Sequence, residues 1–222
     1  MRPAHPSRLF RGILGVLALT AFLAGCSVVG DRSGTGQIHY DVIGDLGDGV
    51  EIRQYPPRVA AEVTDRDGAN SAFRTLAAYI FGRNRSGTEI AMTAPVEMQP
   101  AAADSGMAGP VDVRPQPDGS VHMRFFLPAG FDLETAPLPL DEAVRLRELP
   151  TQSIAALRFS GLRDDERTRE HQARLLDRLE GSGWRAAGPP SAFHYDPPWT
   201  LPFLRRNEAV VPVEPGPEAR QR

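Results

Sequence analysis

Two stretches of the sequence repeat one pattern, and this repeat constrains the fold more than any other feature. Residues 50–56 (VEIRQYP) are echoed by residues 144–150 (VRLRELP), and each copy continues into a second apolar strand, at 59–63 and 154–157. A helix and a further strand that ends in prolines follow each copy. The repeat predicts an α+β fold of two β-β-α-β units related by a pseudo-two-fold axis, which form one curved antiparallel sheet or open barrel flanked by two helices.

The two predicted helices each combine an apolar stripe with a glycine that ends the helix. The first spans residues 71–81 and stops at Gly82, and the second spans residues 165–180 and stops at Gly181. Their inner faces are predicted from residues three or four positions apart: Phe73, Leu76, Ala77 and Ile80 in the first helix, and Leu175, Leu176 and Leu179 in the second.

The N-terminus has the pattern of a bacterial lipoprotein signal. Three arginines precede a mainly apolar run, 12–23, that is shorter than the roughly 20 residues needed to span a bilayer. The segment 23–26 (LAGC) resembles a lipobox, and Cys26 is the only cysteine in the chain. We expect a signal peptide over 1–25, acylation of Cys26, and a protein anchored to the membrane on the extracytoplasmic side of the envelope, in the periplasm or at the outer membrane of a Gram-negative cell.

The rest of the chain is expected to contain a single folded domain. A lipid-anchored flexible tether is predicted over 26–36, the domain over 37–213, and a disordered tail rich in Pro, Glu and Arg over 214–222. The domain is long enough to bury a core of its own.

Composition excludes several classes of function. All 25 basic residues are arginine, so the chain has no lysine for a Schiff base or a P-loop. Cleavage after residue 25 would leave 22 arginines against 28 acidic residues, a formal charge of −6, which argues against a nucleic-acid partner. Lipidation of Cys26 would leave no thiol for a disulfide, a nucleophile or a metal ligand. The G-x-S-x-G, G-x-G-x-x-G and H-E-x-x-H motifs are absent.

Four segments resemble the SOUL haem-binding family in order and spacing across residues 37–213. Segment 90–96 (IAMTAPV) resembles a hallmark strand motif of the family, and 125–128 (FFLP) resembles a strand end. Segments 195–200 (YDPPWT) and 205–210 (RRNEAV) resemble its closing signature. The resemblance implies two β-α-β-β-like halves, as in GyrI-like effector-binding domains, and non-covalent binding of haem or a related tetrapyrrole in an apolar groove. In the motif strand we expect Ile90 and Met92 to be buried on one face and Pro95 to end or edge the strand.

The candidate site residues follow from what a tetrapyrrole presents: a flat apolar ring, two carboxylates and an iron. An apolar wall is expected from Met92, Phe125, Tyr195 and Trp199. Without lysine, arginine must pair the propionates, with Arg205 and Arg206 as candidates and Arg83 and Arg85 as alternatives. Three histidines are candidate axial ligands, and the sequence prefers none of them: His194, His171 and His122.

The expected function is an envelope-tethered, non-enzymatic binder of haem or another tetrapyrrole. Two alternatives stay open: a GyrI-like binding module for another small amphipathic ligand, and an enzyme that modifies a tetrapyrrole. The enzyme is the weaker alternative because no set of side chains has a spacing that names a reaction. The sequence carries no signal for an oligomeric state.

Overall fold

The computed structural model describes residues 36–100, 120–197 and 199–216. These residues contain two α-helices, α1 (Ala69–Ile80) and α2 (Asp165–Leu179), and a short 3-10 helix (Pro202–Leu204). The strands are β1 (Gly36–Gln37), β2 (Asp41–Asp45), β3 (Val50–Tyr55), β4 (Arg58–Asp65), β5 (Thr93–Ala94), β6 (Val96–Pro100), β7 (Val121–Phe126), β8 (Arg145–Leu149), β9 (Gln152–Phe159), β10 (Trp184–Ala186), β11 (Ser191–His194) and β12 (Asn207–Pro215).

One large antiparallel sheet organises the molecule. Its strands follow the order β2-β3-β9-β12-β11-β6-β7-β4-β8, and β10 pairs with the far end of β12. The edge strands β2 and β8 do not pair with each other, so the sheet is not closed. β1 and β5 form a separate parallel pair of two residues each. The predicted α+β class, with a large antiparallel sheet and two helices, is confirmed.

The strand order has the two-fold symmetry that the repeat predicts. The repeat makes β3 equivalent to β8, β4 to β9, β6 to β11 and β7 to β12. If each strand from β3 to β8 is replaced by its equivalent, the result is the same strand order read from the opposite edge of the sheet. The register agrees: Tyr55 pairs with Gln152 and Leu149 pairs with Arg58, and the repeat aligns Tyr55 with Leu149 and Arg58 with Gln152. Each unit contributes four strands to the symmetric part of the sheet, β-β-α-β-β, one more than predicted, and also has one short strand directly after its helix region, β5 or β10. The first strand of each unit pairs with the second strand of the other.

Helix α1 packs on β4 and β7 through the predicted stripe. Leu76 and Ile80 are buried, whereas Phe73 is 39 % exposed at the edge of the stripe, with its ring 5.4 Å from that of Phe125, so its assignment to the inner face is wrong. Gly68 and Gly82 flank the helix with φ angles of 89° and 98°, a region that favours glycine.

Helix α2 packs on β9 and β12. Asp164 caps its start by accepting a hydrogen bond from the backbone N–H of Arg167 at 2.7 Å. Leu175 and Leu179 are buried as predicted, but Leu176 is 36 % exposed, so its assignment to the inner face is wrong. Leu175 and Leu179 are one helical turn apart and share a face, whereas Leu176 is rotated by about 100° from Leu175.

The buried residues form three clusters, two under the helices and one on the opposite face of the sheet. The third cluster is rich in aromatic residues and contains Tyr55, Ala60, Ala94, Phe126, Ile154, Ala156, Phe193, Tyr195 and Val210. No α-helix of the described chain packs on this face, which we call the helix-free face. Ile38 and Tyr40 pack against the third cluster from the N-terminal side. Among the described residues, all three clusters and the residues packed on them lie between Ile38 and Val213.

The segment 90–96 is not one strand. Ile90 is buried and donates its backbone N–H to the carbonyl of Ile80 at 2.8 Å, while Met92 is half-buried against the cluster under α1. Pro95 follows a cis peptide bond and separates β5 from β6, in agreement with the expectation that it ends a strand.

Several sequence-based expectations fall outside the described residues: the signal peptide, Cys26, and residues 26–35 of the tether. At the other end, Glu214 and Pro215 belong to β12, where they pair with Arg185 and Trp184, although the tail was expected to begin at residue 214. Among the described residues, no helix has the length and apolar character that crossing a membrane requires.

A candidate ligand site in the β11–β12 loop

The loop between β11 and β12 presents large apolar side chains to solvent. Trp199 is 63 % exposed and Phe203 is 70 % exposed, and Leu201 between them is also exposed. The backbone N–H of Gly161 donates to the carbonyl of Pro202 at 2.8 Å, which brings the exposed Leu162 beside the loop. We call Leu162, Trp199, Leu201 and Phe203 the loop patch. Exposed large apolar residues grouped in this way mark a binding surface more often than isolated ones do.

Hydrogen bonds hold the loop patch in one shape. Arg205 donates from Nε to the carbonyl of Thr200 at 2.7 Å. At the base of the loop, the backbone N–H of Tyr195 donates to the carbonyl of Arg206 at 3.2 Å, and the backbone N–H of Arg206 donates to Asp196 Oδ2 at 2.6 Å. A loop closed in this way loses little conformational freedom when a ligand binds.

Arg163 lies next to the loop patch with a partly desolvated guanidinium. Its Nε and Nη2 atoms are buried and have no hydrogen-bond partner among the described residues. Burial and, to a lesser extent, the positive charge of Arg205 together lower the pKa of Arg163 to about 10, and the charge of Asp196 opposes the shift. Arg163 therefore remains cationic at neutral pH, and its positive charge would favour a carboxylate bound beside the loop patch.

His194 ends β11 beside the same arginines. Its Nδ1 atom lies 3.0 Å from Asn207 Oδ1, an acceptor that assigns the proton to Nδ1 and leaves the lone pair on Nε2. Burial, with a smaller contribution from the charge of Arg163, lowers the pKa of His194 to about 4, while the hydrogen bond to Asn207 opposes the shift. The imidazole is therefore neutral at pH 7, which is the form that binds a metal.

The predicted apolar wall does not form one surface. Phe125 and Met92 contribute to the cluster under α1, whereas Tyr195 belongs to the cluster on the helix-free face. Strand alternation explains the separation, because Phe125 points to the helix side and its neighbour Phe126 to the other side. Of the four predicted wall residues, Trp199 lies on the loop patch.

The two predicted arginines have different environments. Arg206 lies on the helix-free face, where its guanidinium is 3.8 Å from the ring centre of Tyr195 and its Nη2 atom is 2.7 Å from Glu208 Oε1. Glu208 is fully buried and also binds Arg53 at 2.7 Å and the hydroxyl of Tyr195 at 2.8 Å. Arg206 is thus committed to a buried ion pair, whereas Arg205 lies at the loop patch.

The other two candidate histidines lie elsewhere. His171 stacks on Phe159 at 4.1 Å and donates from Nδ1 to the carbonyl of Arg167 at 2.8 Å. His122 lies on the helix-free face, 3.5 Å from Glu62. No group of three or more His, Cys, Asp or Glu residues in the described chain could hold a metal ion by itself. The alternative clamp Arg83 lines a cavity of about 180 Å³ beside α1.

Sequence reasoning missed Leu162, Leu201, Phe203 and Arg163. The run WTLPFL at 199–204 carried a usable signal, since apolar residues are unusual in a proline-rich loop. Arg163 carried none, because its neighbours come from a loop about 40 residues away in the sequence.

Comparisons with known proteins agree with this fold. The C-terminal domain of EcmrR has a TM-score of 0.53 at 12% identity, over 79% of this chain and 98% of that one. An uncharacterized conserved protein from Listeria innocua has a TM-score of 0.52 at 14% identity, over 74% and 92% of the two chains. These GyrI-like neighbours are evidence for the fold alone. No curated protein sequence matches the chain. The model of the SOUL heme-binding protein family matches residues 35–212, and the chain therefore belongs to this family.

Proposed function

We propose that this protein binds haem or a related tetrapyrrole on the loop patch, with Arg163 and Arg205 pairing its carboxylates. The observation that carries the proposal is the unpartnered, partly buried guanidinium of Arg163 beside the exposed rings of Trp199 and Phe203. A tetrapyrrole offers a matching combination, an apolar ring face next to two carboxylates. Membership of the SOUL family supports the same class of ligand.

The side chains present fit a haem without covalent attachment. Bound haem supplies an iron that accepts axial ligands, and His194 offers a neutral imidazole whose proton is held on Nδ1. His194 is buried, so burial of the ring against the loop patch is expected to contribute most of the affinity. Two cavities elsewhere in the described chain have volumes of about 180 and 190 Å³, less than the roughly 300–1,000 Å³ of typical ligand pockets.

The cellular location forms part of the proposal. Cys26 lies in a lipobox-like sequence, and the predicted tether ends where β1 begins at Gly36. An acyl anchor at Cys26 would hold the domain near the membrane surface outside the cytoplasm. In that position the protein would store, buffer or hand on a tetrapyrrole in the cell envelope.

Replacing the exposed aromatic residues tests the location of the site. In the chain from Ser27 onward, we expect Trp199→Ala and Phe203→Ala each to weaken haem binding about tenfold or more, because each removes contact area with the ring. Phe81→Ala is the matched control, since Phe81 is an exposed aromatic residue at the end of α1. Dissociation constants come from absorption titrations. Equal losses in all three variants, or no loss in any, would contradict the proposed location.

Esterified haem tests the arginine clamp. The parent protein should bind haem at least tenfold more tightly than haem dimethyl ester, because the ester carries no carboxylate charge for Arg163 and Arg205. Arg163→Gln should reduce this preference and leave the affinity for the ester unchanged. Thermal melts confirm that the variant is folded. A parent protein that binds both forms equally would show that no clamp exists.

A further inference from the structure

A short N-terminal segment crosses the helix-free face. β1 pairs in parallel with β5, with Gly36 opposite Thr93 and Gln37 opposite Ala94, and the backbone N–H of Ile38 donates to the carbonyl of Ala94 at 3.1 Å. Tyr40 follows and packs against the third cluster. We call residues 36–40 the strap. The pairing of β1 extends over only two residues, so few backbone hydrogen bonds hold the strap in place.

The side chain of Tyr40 packs on the helix-free face in the way that a small aromatic ligand would bind there. Its ring centre is 5.2 Å from that of Tyr55, and the guanidinium of Arg53 lies 4.5 Å from the Tyr40 ring centre. Its hydroxyl accepts a long hydrogen bond of 3.4 Å from Arg206 Nη2. The phenol thus has an aromatic wall, a cation over its face and a cation at its polar end.

The groups around Tyr40 are suited to an electron-rich or anionic molecule. Arg53 and Arg206 carry positive charge, and the hydroxyl of Tyr55 is fully buried beside Arg53, its neighbour in this cluster. Glu208 lies below them and is already bound by both arginines and Tyr195, and Glu51 is bound by Arg53 Nε at 2.8 Å. The polar groups that face Tyr40 are thus N–H groups of the arginines and the O–H group of Tyr55. These groups are hydrogen-bond donors, and an acceptor on a flat ring would pair with them.

We propose that Tyr40 fills a second ligand site, and that a flat aromatic anion binds there when the strap moves aside. The ring would stack on Tyr55 beside Arg53, and its acidic group would accept from Arg206 and Tyr55. This site lies on the helix-free face and does not depend on tetrapyrrole binding at the loop patch. Occupation by the chain's own tyrosine keeps the site closed, so the apparent affinity for such a ligand is low until the strap is displaced.

The test uses 2-naphthoate, a flat aromatic carboxylate, with isothermal titration calorimetry on the chain from Ser27 onward. Tyr40→Ala should bind 2-naphthoate at least tenfold more tightly than the parent, because the site is then vacant. Tyr40→Phe retains the ring and should behave as the parent does. His39→Ala, at an exposed position of the same strap, is the matched control and should also behave as the parent does.

Further variants distinguish this site from the loop patch and from a purely apolar surface. Tyr40→Ala/Tyr55→Phe should bind several-fold more weakly than Tyr40→Ala, since it lacks one donor. Tyr40→Ala/Trp199→Ala should bind 2-naphthoate as tightly as Tyr40→Ala does, because the second site does not depend on the loop patch. Tyr40→Ala should increase the affinity for 2-naphthalenemethanol, which has no charge, much less than the affinity for 2-naphthoate. A folded Tyr40→Ala protein without a gain, or an equal gain for the uncharged alcohol, would overturn the proposal.

A measurement on the parent protein covers the case in which Tyr40→Ala does not fold. Saturating 2-naphthoate should accelerate hydrogen exchange at the backbone N–H of Ile38, because binding displaces the strap from β5. Exchange at Val210, in the middle of β12, serves as the internal reference. Unchanged exchange at Ile38 under saturation would show that the ligand does not compete with the strap, and the proposal would fail.

Discussion

Glu208 is the charged side chain whose removal should cost the fold most. It is fully buried on β12 and binds Arg53 through two contacts, at 2.7 and 3.1 Å. Arg206 adds contacts at 2.9 and 2.7 Å, and the hydroxyl of Tyr195 adds one at 2.8 Å. Glu208→Gln removes the negative charge at nearly constant volume and leaves the buried guanidinium of Arg53 with the half-exposed Glu51 as its acidic partner.

Removing one partner of a buried ion pair costs about 3–5 kcal/mol. The glutamine amide can still accept hydrogen bonds through its oxygen, so we expect the low end, about 3 kcal/mol. With a urea m-value of about 2 kcal/mol per M, the unfolding midpoint should fall by about 1.5 M. Glu214→Gln is the matched control on the same strand, because the ion pair of Glu214 with Arg185 at 2.8 Å is largely exposed and should contribute less than about 1 kcal/mol.

The pH dependence gives a second measure of the same interaction. Burial alone would raise the pKa of Glu208, but the hydrogen bonds and charges of Arg53 and Arg206 outweigh it and hold the pKa below its usual value. A carboxyl with a lowered pKa in the fold stabilises fully above its unfolded value of about 4.3, and that stabilisation is lost as the pH falls through the folded value. The difference between parent and Glu208→Gln should therefore be largest near pH 7 and shrink below about pH 4. A loss under 1 kcal/mol at pH 7 would refute the assignment of Glu208 as a charged, buried partner.

Five further substitutions test other parts of the structure. Leu175→Ala should cost about 2–5 kcal/mol in urea unfolding, whereas Leu176→Ala should cost under about 1, and equal losses would contradict the observed face of α2. Met92→Asp should lower stability by about 1–3 kcal/mol, because it places a charge against the cluster under α1, and an unchanged melting temperature would count against that packing. Cys26→Ala should abolish acylation in cells, and native levels of labelled lipid on the variant would disprove the anchor. His194→Ala should weaken haem binding less than tenfold. In the parent, stability should rise between about pH 4 and 6.5, because His194 is protonated there in the unfolded state and not in the folded state. His194→Ala should reduce this rise, and an unaltered slope of stability against pH would contradict the prediction.

The sequence predicted the repeating architecture because that information is local. The echo between 50–56 and 144–150 marks β3 and β8, and helical spacing located α1 and α2 to within two residues. The side of the sheet to which each residue points was harder to predict. Phe125 and Phe126 are adjacent and equally apolar, and only the pairing with β4 and β6 shows that Phe125 lies under α1.

The candidate site was only partly predictable because its members are brought together by long-range pairing. Trp199 and Arg205 belong to one recognisable segment, but Arg163 reaches them from the loop before α2. Likewise, the segment RRNEAV predicts a solvent-exposed Glu208 on an alternating strand. Its burial depends on an ion pair with Arg53, which lies 155 positions away in the sequence. Patterns of period two or 3.6 carry no information about such partners.

Binding of a tetrapyrrole by the described domain underlies the whole of the proposed function. It is tested by an absorption titration of the chain from Ser27 onward with haem, in which Arg163→Gln is titrated in parallel. We predict a saturable change in the Soret band at one haem per chain, with a dissociation constant in the micromolar range or below, and weaker binding by Arg163→Gln. A Soret band that stays that of free haem at all protein concentrations, in protein shown to be folded, would contradict tetrapyrrole binding.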